Sequence, residues 1–277
     1  MTALRSTLSA AVLCLGAWAT VPAWAQTAPA TPPDYVPKEG QAGKDVIWLP
    51  TAQSLVDRML EMAKLTPRDH LIDLGSGDGR LVITAAKRGA TAHGIEYNPD
   101  LVALSQRAAR AEGVATRATF EKADIFESDF SKATVITMFL LPDLNLQLRP
   151  TLLAMKPGTR IVSNSFDLGD WQPDQTQQVT ENCRTYCEAY QWTVPAKVEG
   201  TWRLADGREL VLKQTFQMLE GTLRRGSEIV AVSDARMDGT RIRFIVGADR
   251  YVGEVTRGRM HGSVNDGASA WRAVNPG

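Results

Sequence analysis

The 277-residue chain has little cysteine, no excess of charge of either sign and no apolar run long enough to span a bilayer. Three cysteines, Cys14, Cys183 and Cys187, are too few for a disulfide scaffold. Thirty-one basic residues balance 31 acidic ones, so no global field draws the chain to nucleic acid or to an anionic membrane. There is no lysine- or arginine-rich run, no heptad pattern and no nucleic-acid motif, so no nucleic-acid partner is expected. The three histidines, His70, His93 and His261, are scattered without ligand spacing, and no metal is expected. What is present is ordinary for a folded protein: 44% hydrophobic and 22% charged residues, on a length that serves one large domain or two modest ones.

Residues 1–25 have the features of a secretory signal. Arg5 gives a thin positive start, 8–21 is apolar, and Ala23, Trp24 and Ala25 form a small-x-small site before Gln26. About 14 apolar residues fall short of the roughly 20 that cross a bilayer. Cleavage is therefore expected, taking Cys14 with it and leaving no stable membrane span, in a periplasmic or secreted protein. Without cleavage the segment would anchor the chain in the membrane. In an oxidising compartment Cys183 and Cys187 have the opportunity to pair. If 184–186 is extended, their Cα atoms lie roughly 13 Å apart, beyond bridging reach. That reading leaves two free thiols; a bridge requires a tight turn.

Residues 26–45 are rich in proline, alanine and threonine and read as a linker unable to fold alone. The spacing of Leu55, Val56, Met59 and Leu60 predicts a helix over 51–64, capped by Thr51. Strand and helix signals then alternate: strands at 70–74, 91–95, 118–121, 134–138 and 159–163, helices at 80–88, 100–111 and 143–155. Such alternation argues for an α/β fold, a Rossmann-like, doubly wound parallel sheet with helices on both faces. From about Val198 the period changes to short alternating runs, with Asp206-Gly207, Asp238-Gly239 and Asp266-Gly267 as hairpin turns. A second, small antiparallel β-domain, barrel or sandwich, of roughly six to eight strands is expected there. The expected boundaries are a signal at 1–25, a linker at 26–45, the α/β domain at 46–195 and the β-domain at 196–277. The aromatic residues Trp202, Phe216, Phe244, Tyr251 and Trp271 are read as the core of that last domain.

The stretch that carries chemistry is D-L-G-S-G-D-G-R at 73–80. An apolar strand ends in Asp73, a glycine-dense turn follows, and a helix begins. Gly75 and Gly77 permit positive φ and a close ligand approach, and the loop's Ser76 lies between them. Open α/β sheets collect ligands at strand carboxyl ends, where the winding reverses. A dinucleotide turn needs G-x-G-x-x-G, but here the third glycine comes one residue early and Arg80 fills its place. The Asp73 carboxylate would repel a pyrophosphate and attract an amino cation. S-adenosylmethionine has an α-ammonium and a sulfonium and no phosphate, so the pattern favours it over NAD. Glu96 lies about 20 residues on, the interval for a carboxylate on a ribose diol. Asp124 follows the third strand, where it would accept from an adenine amino group, with Ile125 and Phe126 packing on the base. Three such elements at successive strand ends outweigh the reading of each as a turn or a helix cap.

These residues resemble the class I S-adenosylmethionine-dependent methyltransferase superfamily, and D-L-G-S-G-D-G-R is a specific form of its first motif. More narrowly, I-W-L-P-T at 47–51 and F-L-L-P-D-L-N-L-Q-L-R-P at 139–150 look like the small lysine methyltransferases of mitochondrial membrane proteins and their bacterial relatives. The resemblance covers roughly 46–170. It implies that Asp73, Gly75, Gly77, Glu96 and Asp124 contact the cofactor. It suggests that Pro50, Thr51, Phe139, Leu141 and Pro142 flank the methyl group, with a protein lysine as acceptor. It supplies no catalytic residue. The export signal and the β-domain depart from the family core. Asp143 stands before an apolar helix and reads as its cap sooner than as a base. Two further readings stay open. One is a non-catalytic nucleoside-binding envelope protein whose β-domain engages partners. The other is a Rossmann oxidoreductase, which Arg80 and Asp73 disfavour.

Overall fold

The computed structural model describes residues 35–275; the signal segment, Cys14 and the first part of the expected linker lie outside them. The α/β half runs α1 (Gln53–Met62), β1 (His70–Leu74), α2 (Arg80–Lys87), β2 (Thr91–Glu96), α3 (Pro99–Ala111), β3 (Ala118–Lys122), β4 (Val135–Met138), α4 (Pro142–Leu153), β5 (Arg160–Asn164), β6 (Gln175–Gln178) and β7 (Glu188–Thr193). Its seven strands are ordered β3-β2-β1-β4-β5-β7-β6, with β1 to β5 parallel and β7 antiparallel to both its neighbours. From β1 the chain winds outward to β2 and β3, then returns to place β4 on β1's other side. The winding therefore reverses between β1 and β4, the place where such sheets bind ligands.

One apolar cluster fills the face covered by α1 to α3, around Leu55, Leu60, Leu71, Val82 and Val135. The other face is filled around Leu74, Ile136, Leu148, Trp171 and Trp192. At the amino-terminal edge of the strands, buried Asp69 ties β4 and β5 together: it accepts from Thr134 Oγ1 at 2.7 Å and pairs with Arg160. Two capping expectations are corrected. Helix α1 is capped by Ala52 without a side-chain bond, while Thr51 Oγ1 accepts from Asn164 Nδ2 at 3.1 Å. Helix α4 opens at Pro142, so Asp143 sits inside its first turn, exposed, where it complements the helix dipole instead of capping.

The remaining strands are β8 (Gly200–Leu204), β9 (Glu209–Thr215), β10 (Met218–Arg225), β11 (Glu228–Asp238), β12 (Arg241–Val246), β13 (Asp249–Thr256), β14 (Arg259–Val264) and β15 (Ser269–Val274). They close as an antiparallel barrel, β10 through β15 and back by β8 and β9. Phe244 and Tyr251 are register partners whose rings stack at 4.7 Å, with Trp271 edge-on to both. Gly253 makes room for Trp271: a Cβ there would lie 2.6 Å from the indole. Phe216 does not join this core. It sits in the β9–β10 turn with φ of +54° and stacks on Trp171 of the α/β half at 5.8 Å. Gln217 Nε2 donates to Gln172 O at 2.7 Å, and Arg236 pairs with Asp174. The halves thus share a packed seam. Among the described residues no helix is long and apolar enough to cross a membrane.

Candidate active site

At the winding reversal the register sets Asp73 of β1 opposite Thr137 of β4, and Thr137 Oγ1 donates to Asp73 Oδ1 at 2.7 Å. Asp73 is buried, and loss of solvation pushes its carboxyl up to about 7 against the Thr137 bond, with Glu96 and Asp78 adding like charge. A buried carboxylate held this way gains from any cation that enters beside it. The loop after β1 has φ of +76° at Gly75 and +55° at Gly77. A Cβ at Gly77 would lie 2.8 Å from Trp48 Nε1, so backbone and indole close on one another here. Ser76 contributes backbone only: its Oγ is buried without a partner and faces Gly94, where a Cβ would lie 2.5 Å from it.

Glu96 at the tip of β2 is held from two sides. Gly77 N donates to Oε2 at 2.9 Å and Asn98 N to Oε1 at 2.8 Å. Each oxygen keeps a lone pair for a further donor. Asp124, just past β3, accepts from Phe126 N at 3.0 Å and from Lys44 Nζ, contacts that hold its carboxyl below the usual range, Lys44 first. Lys44 also sits 5.1 Å from the centre of the Tyr97 ring.

These groups line one cavity of about 580 Å³. It brings together Asp73, Gly75, Ser76, Gly77, Glu96, Asp124 and Ile125 with Pro50, Thr51, Phe139 and Leu141. Two expected members are absent from its wall. Pro142 is spent on opening α4, and Phe126 packs into the core beneath. Asp143 does not line it either, which removes the only base the sequence offered. Several lining residues carry no sequence signal. Residues 41–45, expected as linker, form a small hairpin over the cavity, closed by Gly43 N to Val46 O and Trp48 N to Gln41 O, both 2.9 Å. Tyr97, Asn98, Phe166 and Tyr186 also line it. Cys183 and Cys187 are bridged, with Cα atoms 5.8 Å apart, so the extended reading fails. Tyr186, inside the bridged segment, turns the chain through a φ of +57°, and the two cysteines come within reach.

A doubly wound sheet with three carboxylates at adjoining strand tips defines a nucleoside-binding α/β protein. Comparison with known proteins narrows this. Residues 73–175 match the model of the ANTKMT methyltransferase domain. A protein-lysine N-methyltransferase of Saccharolobus islandicus is 42% identical over 139 residues, covering 49% of this chain and 86% of that one. The adenine nucleotide translocase lysine N-methyltransferase of Mus musculus is 34% identical over 120 residues, 43% of this chain, and the match spans about half, 52%, of the mouse protein. A solved RNA methyltransferase from Salinibacter ruber, in complex with S-adenosyl-L-homocysteine, superposes with a TM-score of 0.51 at 45% identity, over 54% of this chain and 96% of that one. The chain belongs to the class I S-adenosylmethionine-dependent methyltransferases, in the family of the ANTKMT methyltransferase domain. It is a methyltransferase that uses S-adenosylmethionine, and the residues fit that cofactor: a buried carboxylate lacking a cation, a carboxylate with free lone pairs, and a side-chain-free glycine loop between them.

Proposed function

We propose that the protein transfers a methyl group from S-adenosylmethionine to a lysine side chain of a protein. The observation that carries this is one cavity lined both by the carboxylates Asp73, Glu96 and Asp124 and by the apolar side chains of Phe139 and Leu141. Asp73 would take the cofactor's α-ammonium, Glu96 its ribose hydroxyls and Asp124 its adenine amino group, with Gly75 and Gly77 giving the backbone approach and Ile125 packing on the base. The bound cofactor supplies an electrophilic methyl on a sulfonium, a good leaving group. An amine held in line with that methyl would take it through the nitrogen lone pair, the C–S bonding pair staying with sulfur. The protein's task is then orientation and desolvation, and no acid–base dyad is needed. A lysine must first lose a proton to solvent; from about 10.4 to pH 7 that costs about 4.6 kcal/mol. An apolar mouth lowers the cost by disfavouring the charged amine.

Lysine methyltransferases among the relatives support this reading over a non-catalytic nucleoside binder. The Salinibacter neighbour keeps RNA as the second reading. Incubating the protein with methyl-labelled cofactor and either envelope protein or total RNA separates them. Label in lysine supports the proposal; label confined to RNA refutes it. We also propose export, from the signal-like residues 1–25, and the Cys183–Cys187 bridge supports an oxidising location. Cell fractionation with amino-terminal sequencing tests it: Gln26 as first residue in the periplasm agrees, an intact cytosolic chain disagrees.

A further inference from the structure

Phe139, Phe166 and Tyr186 come from three separate segments yet meet at the cavity mouth. Their ring centres are 6.3 Å apart for Phe139–Phe166, 5.3 Å for Phe139–Tyr186 and 5.9 Å for Phe166–Tyr186. Sheet topology explains the meeting. Phe139 directly follows β4. Phe166 follows β5, and Tyr186 precedes β7, the antiparallel partner of β5. The ladder continues past the strand ends, with Ser165 N donating to Glu188 O at 2.8 Å. Two further devices hold the outer rings. Fully buried Asn145 of α4 donates from Nδ2 to Phe166 O at 3.0 Å, and the Cys183–Cys187 bridge closes the loop that carries Tyr186.

The outer ring of the three is open to solvent. Tyr186 is 44% exposed, and with Leu141, Ile47 and Tyr97 it makes four of the nine exposed large hydrophobic side chains of the described residues, all four lining this cavity. Such exposure at a site mouth marks a place to be covered by a ligand. Ring faces attract alkylammonium groups and pack against the methylenes of a lysine stem. We propose that these three rings form an aromatic wall along which the acceptor lysine reaches the methyl group, and that the disulfide holds Tyr186 in it. This rests on the lysine reading above and adds the residues that select the acceptor.

The test is a titration of the S-adenosylhomocysteine-loaded protein with a peptide containing trimethyllysine, since a quaternary ammonium binds ring faces without a protonation step. Tyr186→Ala should weaken binding at least tenfold and Cys183→Ser/Cys187→Ser at least threefold, while Tyr186→Phe keeps it. Affinity for S-adenosylhomocysteine itself should stay within twofold in all three, which a collapsed fold would not allow. No peptide binding by the wild type, or equal binding by Tyr186→Ala, overturns the wall. If the wild type labels lysine but Tyr186→Ala labels it with unchanged KM, the wall fails and the lysine reading stands. Label in RNA alone sinks both.

Discussion

The α/β half and the barrel differ in where they put their charged groups. The sheet sends Asp73, Glu96 and Asp124 to adjoining strand tips, where they face a common cavity and are only partly satisfied by the protein. The barrel turns apolar side chains inward and charged ones outward, most clearly along β12 and β13, and its stacked aromatics fill the interior. One half therefore holds unspent binding capacity and the other spends its side chains on its own stability. The family match, at 73–175, falls entirely on the first.

Substitutions in the two halves should separate affinity from stability. Asp73→Asn keeps the shape and the Thr137 contact but removes the charge, and should weaken cofactor binding at least a hundredfold by calorimetry. The same change should raise the melting temperature of the cofactor-free protein near pH 8. The sign follows from linkage: the Asp73 pKa is raised on folding, to about 7, so the stability of its protonated form is present below the unfolded value and lost as pH rises through 7. The loss avoided is on the order of 4 kcal/mol at most. At the seam between the halves, Phe216→Ala should cost about 2 kcal/mol of stability, seen in denaturant melts, because the ring on Trp171 is half-buried. Cofactor affinity of that variant should stay within twofold; a large loss would show that the seam shapes the site.

Smaller effects sharpen the contrast. Wild-type affinity should rise about tenfold between pH 6 and pH 8 as Asp73 ionises, with proton release on binding below pH 7. A flat profile in Asp73→Asn is the matching control. Lys44→Ala should change affinity by no more than about fivefold, since its pair with Asp124 is at the surface. The direction expected is tighter, because the adenine amino group would no longer compete for that carboxylate.

Legibility followed the same division. The glycine bend and the strand-tip acids could be read because only a few residue types serve positive φ and buried charge at fixed intervals. Parts of the site whose residues take their role from tertiary placement could not. The hairpin at 41–45 hides in a stretch composed like a linker, and strand β6, Gln-Thr-Gln-Gln with every residue exposed, has no apolar pattern to detect. Tyr186 reaches the cavity only through a bridged turn, which spacing alone cannot distinguish from an extended pair of thiols. In the barrel, the Asp-Gly turns were visible. Strands β10 and β14 carry no clean alternation, because Gly221 and Gly262 interrupt it where neighbouring backbone passes close. Phe216 looked like barrel core because its strand alternates; its turn conformation delivers it to the other half.

The central claim, that carboxylates at adjoining strand tips hold the sulfonium nucleoside, is tested most directly by calorimetric titration of S-adenosylmethionine into wild type and Glu96→Ala. Saturable binding by the first and no measurable heat from the second, with both chains folded by circular dichroism, is the predicted result. Equal affinities would contradict it.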